Sequence, residues 1–392
     1  MRFEFATAGR ILVGAGVSSE LPALAQALGQ RALLVLGAGA RVRGGAVAQR
    51  AAELRAAGLI AAEWPVAGEP TIAAAEQGAA LAQQAACTLV IGIGGGSVLD
   101  SAKAIAALAA NPGGALDYLE VVGAGRPLEH PALPVLAVPT TAGTGSEVTR
   151  NAVLAAPEQR AKASLRHASM LPRVALVDPE LTLDLPPQIT AWSGLDALTQ
   201  LLEPYVSCRA QPLTDGLCLQ GLELAAWALP RAYHEPRDLA AREAMCTASL
   251  MGGLALANAG LGAVHGIAAP LGGGYPAPHG AVCAALLPHI VATNIAALQQ
   301  RDPDGPGLPR YERVAEVLLG RRTTEQRVLL ADLVHYLHSL VAELAVPGLA
   351  RYGLTEAAIP GLAQQAARAS SMRANPLVLT QAELEAAIRA AL

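Results

Sequence analysis

Two histidines, each followed by glycine, stand fourteen positions apart in VHGIAAPLGGGYPAPHG: His265 and His279. Neutral imidazole is the commonest side-chain ligand of transition metals. Upstream, in SGLDALTQLLEPY (193–205), Asp196 and Gln200 are four residues apart among apolar neighbours. In a helix such a pair shares one face. A carboxylate and two imidazoles form a usable ligand set for Zn2+ or Fe2+. Each residue also has an ordinary reading: Asp196 facing a helix dipole, His265 hydrogen-bonded in a core, His279 in a turn beside Pro278. Spacing alone does not choose between these readings.

A second group of residues suits phosphate. VIGIGGGSVLD places Gly92, Gly94, Gly95, Gly96 and Ser97 between a strand-like and a helix-like run. A helix start offers unpaired N–H groups and the positive end of a dipole, which attract an anion. The next strand-like run leads into VPTTAGTGSEVTR (138–150), where Thr140, Thr141, Thr144 and Ser146 alternate with glycines. Either loop alone could be a tight turn or a helix cap. Two of them after consecutive strands of one sheet point to a dinucleotide. After the strand-like run at 31–37, Gly37 stands where an acid would hold the ribose hydroxyls, and Arg41 and Arg43 follow. Loss of the acid with arginine nearby permits a 2′-phosphate and leans towards NADP over NAD, the ordinary reading being that both arginines are solvated surface residues.

The elements that must position these residues are legible as patterns. RALLVLG (31–37), CTLVIGIGG (87–95), LPVLAVP (133–139) and RVALVDP (173–179) read as strands, with helical stretches at 46–58 and 97–111. Strands alternating with helices predict a parallel α/β sheet. Beyond LTLDLPP (181–187) the patterns are long and helical, with breaks at 228–236 and 272–280 and a turn-rich surface loop at 301–310. The expected fold class is therefore α/β plus all-α. It comprises a Rossmann-like dinucleotide-binding domain over 1–185 and an all-helical metal and substrate domain over 186–392.

Composition narrows the function classes. The chain has 392 residues, 53% of them apolar and only 3% aromatic, so alanine, leucine, valine and glycine must build the core. A net charge of −4 without a basic stripe excludes nucleic acid as the expected partner. No uninterrupted apolar run reaches the ~18 residues of a membrane span, and the first ten residues lack the apolar core of a secretory signal. Five scattered cysteines without CxxC spacing predict neither a disulfide framework nor a cysteine zinc site. These features together predict a cytoplasmic protein.

The sequence resembles the iron-dependent (group III) alcohol dehydrogenases nearly end to end, from FATAGRILVGAG to SSMRANPLVLT. The likeness includes GGGSVLDSAKAIA, PTTAGTGSEVT, VDPELTLDLPP, GLDALTQLLEPYVS and PHGAVCAALLPH. The resemblance implies a dehydroquinate synthase-like architecture and a homodimer or larger assembly. The implied activity is NAD(P)-dependent interconversion of a small alcohol and an aldehyde or ketone. It assigns Gly95, Gly96, Ser97 and Asp100 to the pyrophosphate. Thr140, Thr141, Thr144 and Ser146 go to the phosphates, ribose and nicotinamide, Lys162 to the nicotinamide ribose, Leu181 to an apolar contact and Asn151 to the substrate. Asp196, His265 and His279 match three metal ligands, with His265 and His279 at the centre of catalysis. The chain departs from the pattern twice. Gln200 replaces a ligand histidine and stands as the fourth candidate ligand through its amide oxygen, and Ala269 replaces a histidine thought to assist proton movement.

Those departures keep other functions in view. A maleylacetate reductase-like enzyme would dispense with the metal. A dehydroquinate synthase-like lyase would turn over without net cofactor reduction, and a nucleotide-binding protein would have no chemistry. An amide oxygen at position 200 weakens binding of Zn2+ or Fe2+ relative to Mg2+ or Mn2+.

Overall fold

The computed structural model describes residues 2–39, 45–159, 161–321 and 325–392. Arg41 and Arg43, on which the expectation of NADP leans, lie outside the described residues. The chain forms two compact units. One comprises Ala6–Thr141 with Gly145–Asp184, and the other is dominated by Leu185–Leu392 and includes Ala142–Thr144.

The first unit is built on eight strands: β1 (Ile11–Val13), β2 (Ala32–Gly37), β3 (Ile60–Val66), β4 (Leu89–Gly94), β5 (Val135–Pro139), β6 (Asn151–Ala156), β7 (Ala161–Arg166) and β8 (Val174–Val177). Six of them make a parallel sheet in the order β1-β8-β5-β4-β2-β3. The helices of this unit are α1 (Leu21–Leu28), α2 (Gly45–Ala56), α3 (Ile72–Gln84), α4 (Gly96–Ala109) and the short α5 (Ala115–Tyr118). From β2 the chain winds outward to β3 and then returns to place β4 on the other side. The winding therefore reverses between β2 and β4, and the crevice at the carboxyl ends of such strands is where ligands of open α/β sheets bind.

The central strands are apolar on both faces because helices cover both. Leu34, Leu36, Ile91, Ile93, Leu136 and Val138 pack with Leu21, Leu24, Ala51 and Leu54 of α1 and α2. Leu33, Val35, Val90, Val135 and Ala137 face the other way, against Ala82 of α3 and Val98, Leu99, Ala102 and Ile105 of α4. Two of the glycines in GIGGG serve this packing. A Cβ on Gly92 would lie 2.9 Å from Ala102 Cβ, and one on Gly94 would lie 2.5 Å from Val98 Cγ2. Helix α4 thus sits on the strand that feeds it.

Four strands carry no clear sequence signal. β1 has three residues and sits at one edge of the sheet. β3 sits at the other edge, where Glu63 and Pro65 interrupt its apolar pattern, and proline is tolerated in edge strands. β6 and β7 form a separate antiparallel pair. Its Ala152, Leu154, Ala163 and Leu165 pack with Ala75, Ala79, Ala104 and Leu108.

The second unit holds α6 (Pro187–Val206), α7 (Pro212–His234), α8 (Leu239–Ala259), α9 (Ala263–Gly274), α10 (His279–Arg301), α11 (Gly307–Leu319), α12 (Gln326–Glu343), α13 (Ile359–Ala367) and α14 (Gln381–Ala390). The break expected at 228–236 falls later, because α7 continues through Pro230 to His234. The loop expected at 301–310 shortens to 302–306, with Gly307–Arg310 opening α11. Helix α6 is buried on every side from Gly194 to Val206, as a central helix must be. Helix α10 has the length and apolarity of a membrane span, yet 78% of that window is buried inside the protein, as in a core helix.

A buried polar network ties α4 to the loop after β5. Lys103, 1% exposed, donates from Nζ to Ser146 O and Thr149 Oγ1, both at 2.9 Å, and lies 3.2 Å from Asp100 Oδ1. Burial pushes the neighbouring Glu147 carboxyl up to about 7, against the lowering pull of a backbone N–H and of Lys103. In the unfolded chain this carboxyl ionises near its ordinary value of 4.5. Between those pH values the unfolded chain has released a proton that the folded protein keeps, so stability falls as pH rises through that window. Glu147→Gln removes the loss. In denaturant titrations the variant should gain on the parent by ~1–3 kcal/mol between pH 4.5 and pH 7.5. A difference independent of pH over that range would contradict the assignment.

Candidate metal centre and cofactor loops

The phosphate-type residues gather at the carboxyl edge of the sheet. Gly37 ends β2, Gly95 and Gly96 follow β4, and Thr140 and Thr141 follow β5, whose neighbour in the sheet is β4. Thr140 N donates to Gly94 O at 3.0 Å, stitching the two loops together. No side chain caps α4 at Gly95, so the N–H groups of Gly96 and Ser97 open the helix without a side-chain acceptor. Ser146 starts a short 3-10 turn after Gly145, which adopts φ 60°, a left-handed conformation suited to glycine. Thr144 lies just before it.

The other cofactor candidates have different surroundings. Asp100 accepts from Ser146 Oγ at 2.6 Å and from Val153 N at 2.9 Å, so it braces the loop from beneath. Lys162 lies on β7 and pairs with Glu69 at 3.1 Å. Asn151 opens β6 opposite Arg166. Leu181 is buried in the same apolar cluster as Leu36 and Val138.

The metal-type residues converge from three helices. Asp196 and Gln200 lie one turn apart on α6, His265 is in the first turn of α9, and His279 is the first residue of α10. His265 Nε2 lies 3.3 Å from Asp196 Oδ1, and His279 Nε2 lies 3.7 Å from the same oxygen. The two imidazole centroids are 5.5 Å apart. Gly280 permits this approach: a Cβ there would fall 2.6 Å from Trp192 O of α6. Gln200 Nε2 donates to Asp196 Oδ2 at 2.9 Å and so fixes the carboxylate plane.

Two residues not singled out in the sequence belong to this cluster. Glu203, one turn beyond Gln200, accepts from Val264 N at 2.7 Å and bonds His265 Nδ1 at 2.7 Å. A carboxylate on one ring nitrogen fixes the tautomer and presents the other nitrogen to a metal. Cys283, one turn along α10 from His279, places its sulfur 3.6 Å from His279 Nε2. The ligand atoms of Asp196, His265, His279 and Cys283 all lie within 4.8 Å of one another. A helix-period search from Asp196 and from His279 would have flagged both residues, since 203 and 283 follow at i+7 and i+4. From the C-terminal motif SSMRANPLVLT, Asn375 Oδ1 accepts from Ala263 N at 3.1 Å and helps cap α9.

The electrostatics and the open valences fit a cation. Asp196 Oδ1, Gln200 Oε1 and His265 Nε2 are buried and complete no hydrogen bond among the described residues. Leaving such atoms unpaired costs ~1–3 kcal/mol each unless something fills the space between them. Burial raises the Asp196 carboxyl, but the charges of His279 and His265 outweigh it and hold the group below the usual carboxylate value. Burial likewise lowers His265, yet Cys283, Glu203 and Asp196 overcome it and raise the imidazole well above its ordinary value. The pocket is thus acidic enough to retain positive charge, whether proton or metal ion.

Truncating Glu203 to alanine would leave His265 Nδ1 and Val264 N buried without an acceptor. Unfolding by denaturant should show a loss of roughly 2–5 kcal/mol. Glu203→Gln, which keeps one acceptor, should lose less. A loss below ~1 kcal/mol for the alanine variant would mean that the bond contributes little beyond solvation.

Comparison with known proteins identifies the family. The chain matches the iron-containing alcohol dehydrogenase model over residues 8–179 and the model of the C-terminal part of the Fe-containing alcohol dehydrogenase family over residues 190–392. It is 36% identical over 383 residues to long-chain-alcohol dehydrogenase 1 of Geobacillus thermodenitrificans, covering 97% of this chain and 94% of that one. The NAD-dependent methanol dehydrogenase of Bacillus methanolicus is 33% identical, over 97% of each chain. The crystal structure of a 1,3-propanediol oxidoreductase superposes with a TM-score of 0.91 at 33% identity, over 100% of both chains. With both halves of the chain matched and the Asp196, His265 and His279 cluster assembled, the chain belongs to the iron-containing alcohol dehydrogenase family and is an oxidoreductase of the alcohol dehydrogenase type.

Proposed function

We propose that this enzyme interconverts a small alcohol and its aldehyde or ketone with NAD(P) as hydride carrier and a divalent cation at the Asp196 cluster. The observation that carries the metal is the pair of buried atoms Asp196 Oδ1 and His265 Nε2, 3.3 Å apart and completing no hydrogen bond among the described residues, with His279 Nε2 beside them. Asp196, His265 and His279 would hold the cation, and Gln200 orients Asp196 through its amide N–H. A divalent ion held there, Fe2+ or Zn2+, supplies Lewis-acid polarisation of the substrate oxygen and lowers the pKa of the alcohol. The nicotinamide supplies the hydride acceptor or donor.

The remaining work falls to residues of the chain. The N–H groups of Gly96 and Ser97, at the uncapped start of α4, bind the pyrophosphate. Thr140, Thr141, Thr144 and Ser146 offer hydroxyls to the phosphates, ribose and nicotinamide. Asp100 and Lys103 hold that loop in place from below. Lys162 serves the nicotinamide ribose, Leu181 gives an apolar backing and Asn151 faces the substrate. With Ala269 one turn beyond His265, no imidazole at that position relays the proton, which leaves through water or the ribose hydroxyls. Membership of the family supports a small-molecule alcohol or aldehyde as substrate, cytoplasmic residence and assembly as a homodimer or larger oligomer.

Metal analysis of protein purified anaerobically without a histidine tag should give close to one Fe, Zn or Mn per chain. Asp196→Ala, folded by circular dichroism, should fall below a tenth of that. Wild-type protein with no metal after reconstitution would overturn the metal half of the proposal and favour a metal-independent reductase.

For the nucleotide, NADPH is expected to bind more tightly than NADH, because Gly37 brings no carboxylate against a 2′-phosphate. Among the described residues a Cβ at Gly37 meets only Val98 Cγ2, at 3.9 Å, so Gly37→Asp fits and should shift preference toward NADH by ~10-fold or more. Equal or tighter NADH binding by the parent protein would overturn the NADP assignment.

A further inference from the structure

We propose that Cys283 is a thiolate donor to the cation of this site, making an Asp, His, His, Cys centre in which sulfur occupies the valence left by Gln200. The inference rests on the metal reading above and extends it to the chemistry of the fourth donor. A buried cysteine in a helix ordinarily behaves as a small apolar side chain. Three observations set Cys283 apart. It lies on the same face of α10 as His279, one turn on, with its sulfur 3.6 Å from His279 Nε2. Its sulfur is within 4.8 Å of the ligand atoms of Asp196, His265 and His279 alike. And Asp196 Oδ1 and His265 Nε2, facing the same space, are buried and complete no hydrogen bond among the described residues.

Three of the spacings are close to those of donors that share one tetrahedral ion. Nitrogen and oxygen at ~2.0–2.1 Å and sulfur at ~2.3 Å from a zinc ion place neighbouring donors roughly 3.3–3.6 Å apart. The structure has 3.3 Å from His265 to Asp196, 3.6 Å from His279 to Cys283 and 3.7 Å from His279 to Asp196. Gln200 directs its Nε2 to Asp196 Oδ2 at 2.9 Å and so acts as a positioning residue for the carboxylate. On binding, the Sγ–H proton passes to solvent and a sulfur lone pair forms the bond to the cation, with no change of oxidation state. A thiolate shifts preference toward softer ions, so the centre should retain Zn2+ against Mg2+ and Mn2+.

The test is X-ray absorption on Zn2+-loaded wild-type protein, with cobalt substitution in parallel. The expected result is one sulfur at ~2.3 Å from zinc and a near-ultraviolet sulfur-to-cobalt charge-transfer band. Cys283→Ser should abolish the band and weaken Zn2+ at least ~10-fold, whereas Cys208→Ser, at an exposed thiol elsewhere in the domain, should change neither. A bound ion with only nitrogen and oxygen neighbours overturns the assignment of Cys283 and leaves the metal reading intact. Absence of bound Zn2+ or Co2+ in the wild-type protein overturns both. The wild-type spectra decide the question even if Cys283→Ser fails to fold.

Discussion

A carboxylate at 1% exposure cannot remain ionised without positive charge or donors around it, and Asp196 is such a carboxylate. The helical domain is arranged to meet that requirement. Gln200 supplies one N–H, and His265 and His279 bring their nitrogens against the other oxygen. Glu203 in turn holds His265 by its far nitrogen. Removing any one of these partners would leave a buried polar atom uncompensated. This is why one face of α6 carries three polar residues, at 196, 200 and 203, in the stretch of the helix that is buried on every side.

The backbone of the helical domain follows from the same demand. Helices α9 and α10 must bring their first turns close to α6, and glycine after each histidine makes room. Gly280 lets α10 approach the carbonyl of Trp192, and Gly266 leaves space for the Met372 side chain. The start of α9 lacks a capping side chain of its own. Its N–H groups are taken by Glu203 and by Asn375, which also bonds Asn294. Orientation of His265 and capping of its helix are therefore one network, and Asn375 belongs to it.

The sheet domain solves a different problem, how to leave N–H groups open at the rim while keeping the loops still. Lys103 and Asp100 do this from inside. The lysine reaches Ser146 O and Thr149 Oγ1, and the aspartate takes Ser146 Oγ and Val153 N. Two of the glycines that read as ligand clearance, Gly92 and Gly94, are instead required by α4 packing on β4. The Gly-rich turn thus combines fold and function: close packing aims the helix start at the rim where a phosphate would sit.

Asp196, Gln200, His265 and His279 were singled out by residue type together with the family likeness, while the parallel sheet and the helical half were legible from sequence because they rest on local signals. These are continuous apolar runs for buried strands and helical periodicity. Edge strands β1 and β3 and the Ala-rich pair β6–β7 were not, since short or small-residue strands draw their stability from neighbours rather than from their own pattern. The turns at 228–236 and 301–310 were misplaced by one helical turn or so because proline near a helix end reads as a break whether or not the helix passes through it. Glu203, Cys283, Lys103 and Asn375 acquired their places only in the tertiary structure. Glu203 meets a histidine 62 residues away and Asn375 caps a helix 112 residues upstream. Sequence sets which donors and acceptors a chain owns. Which of them converge on one small volume is decided by helix packing between distant segments, where burial forces every polar atom to find a partner.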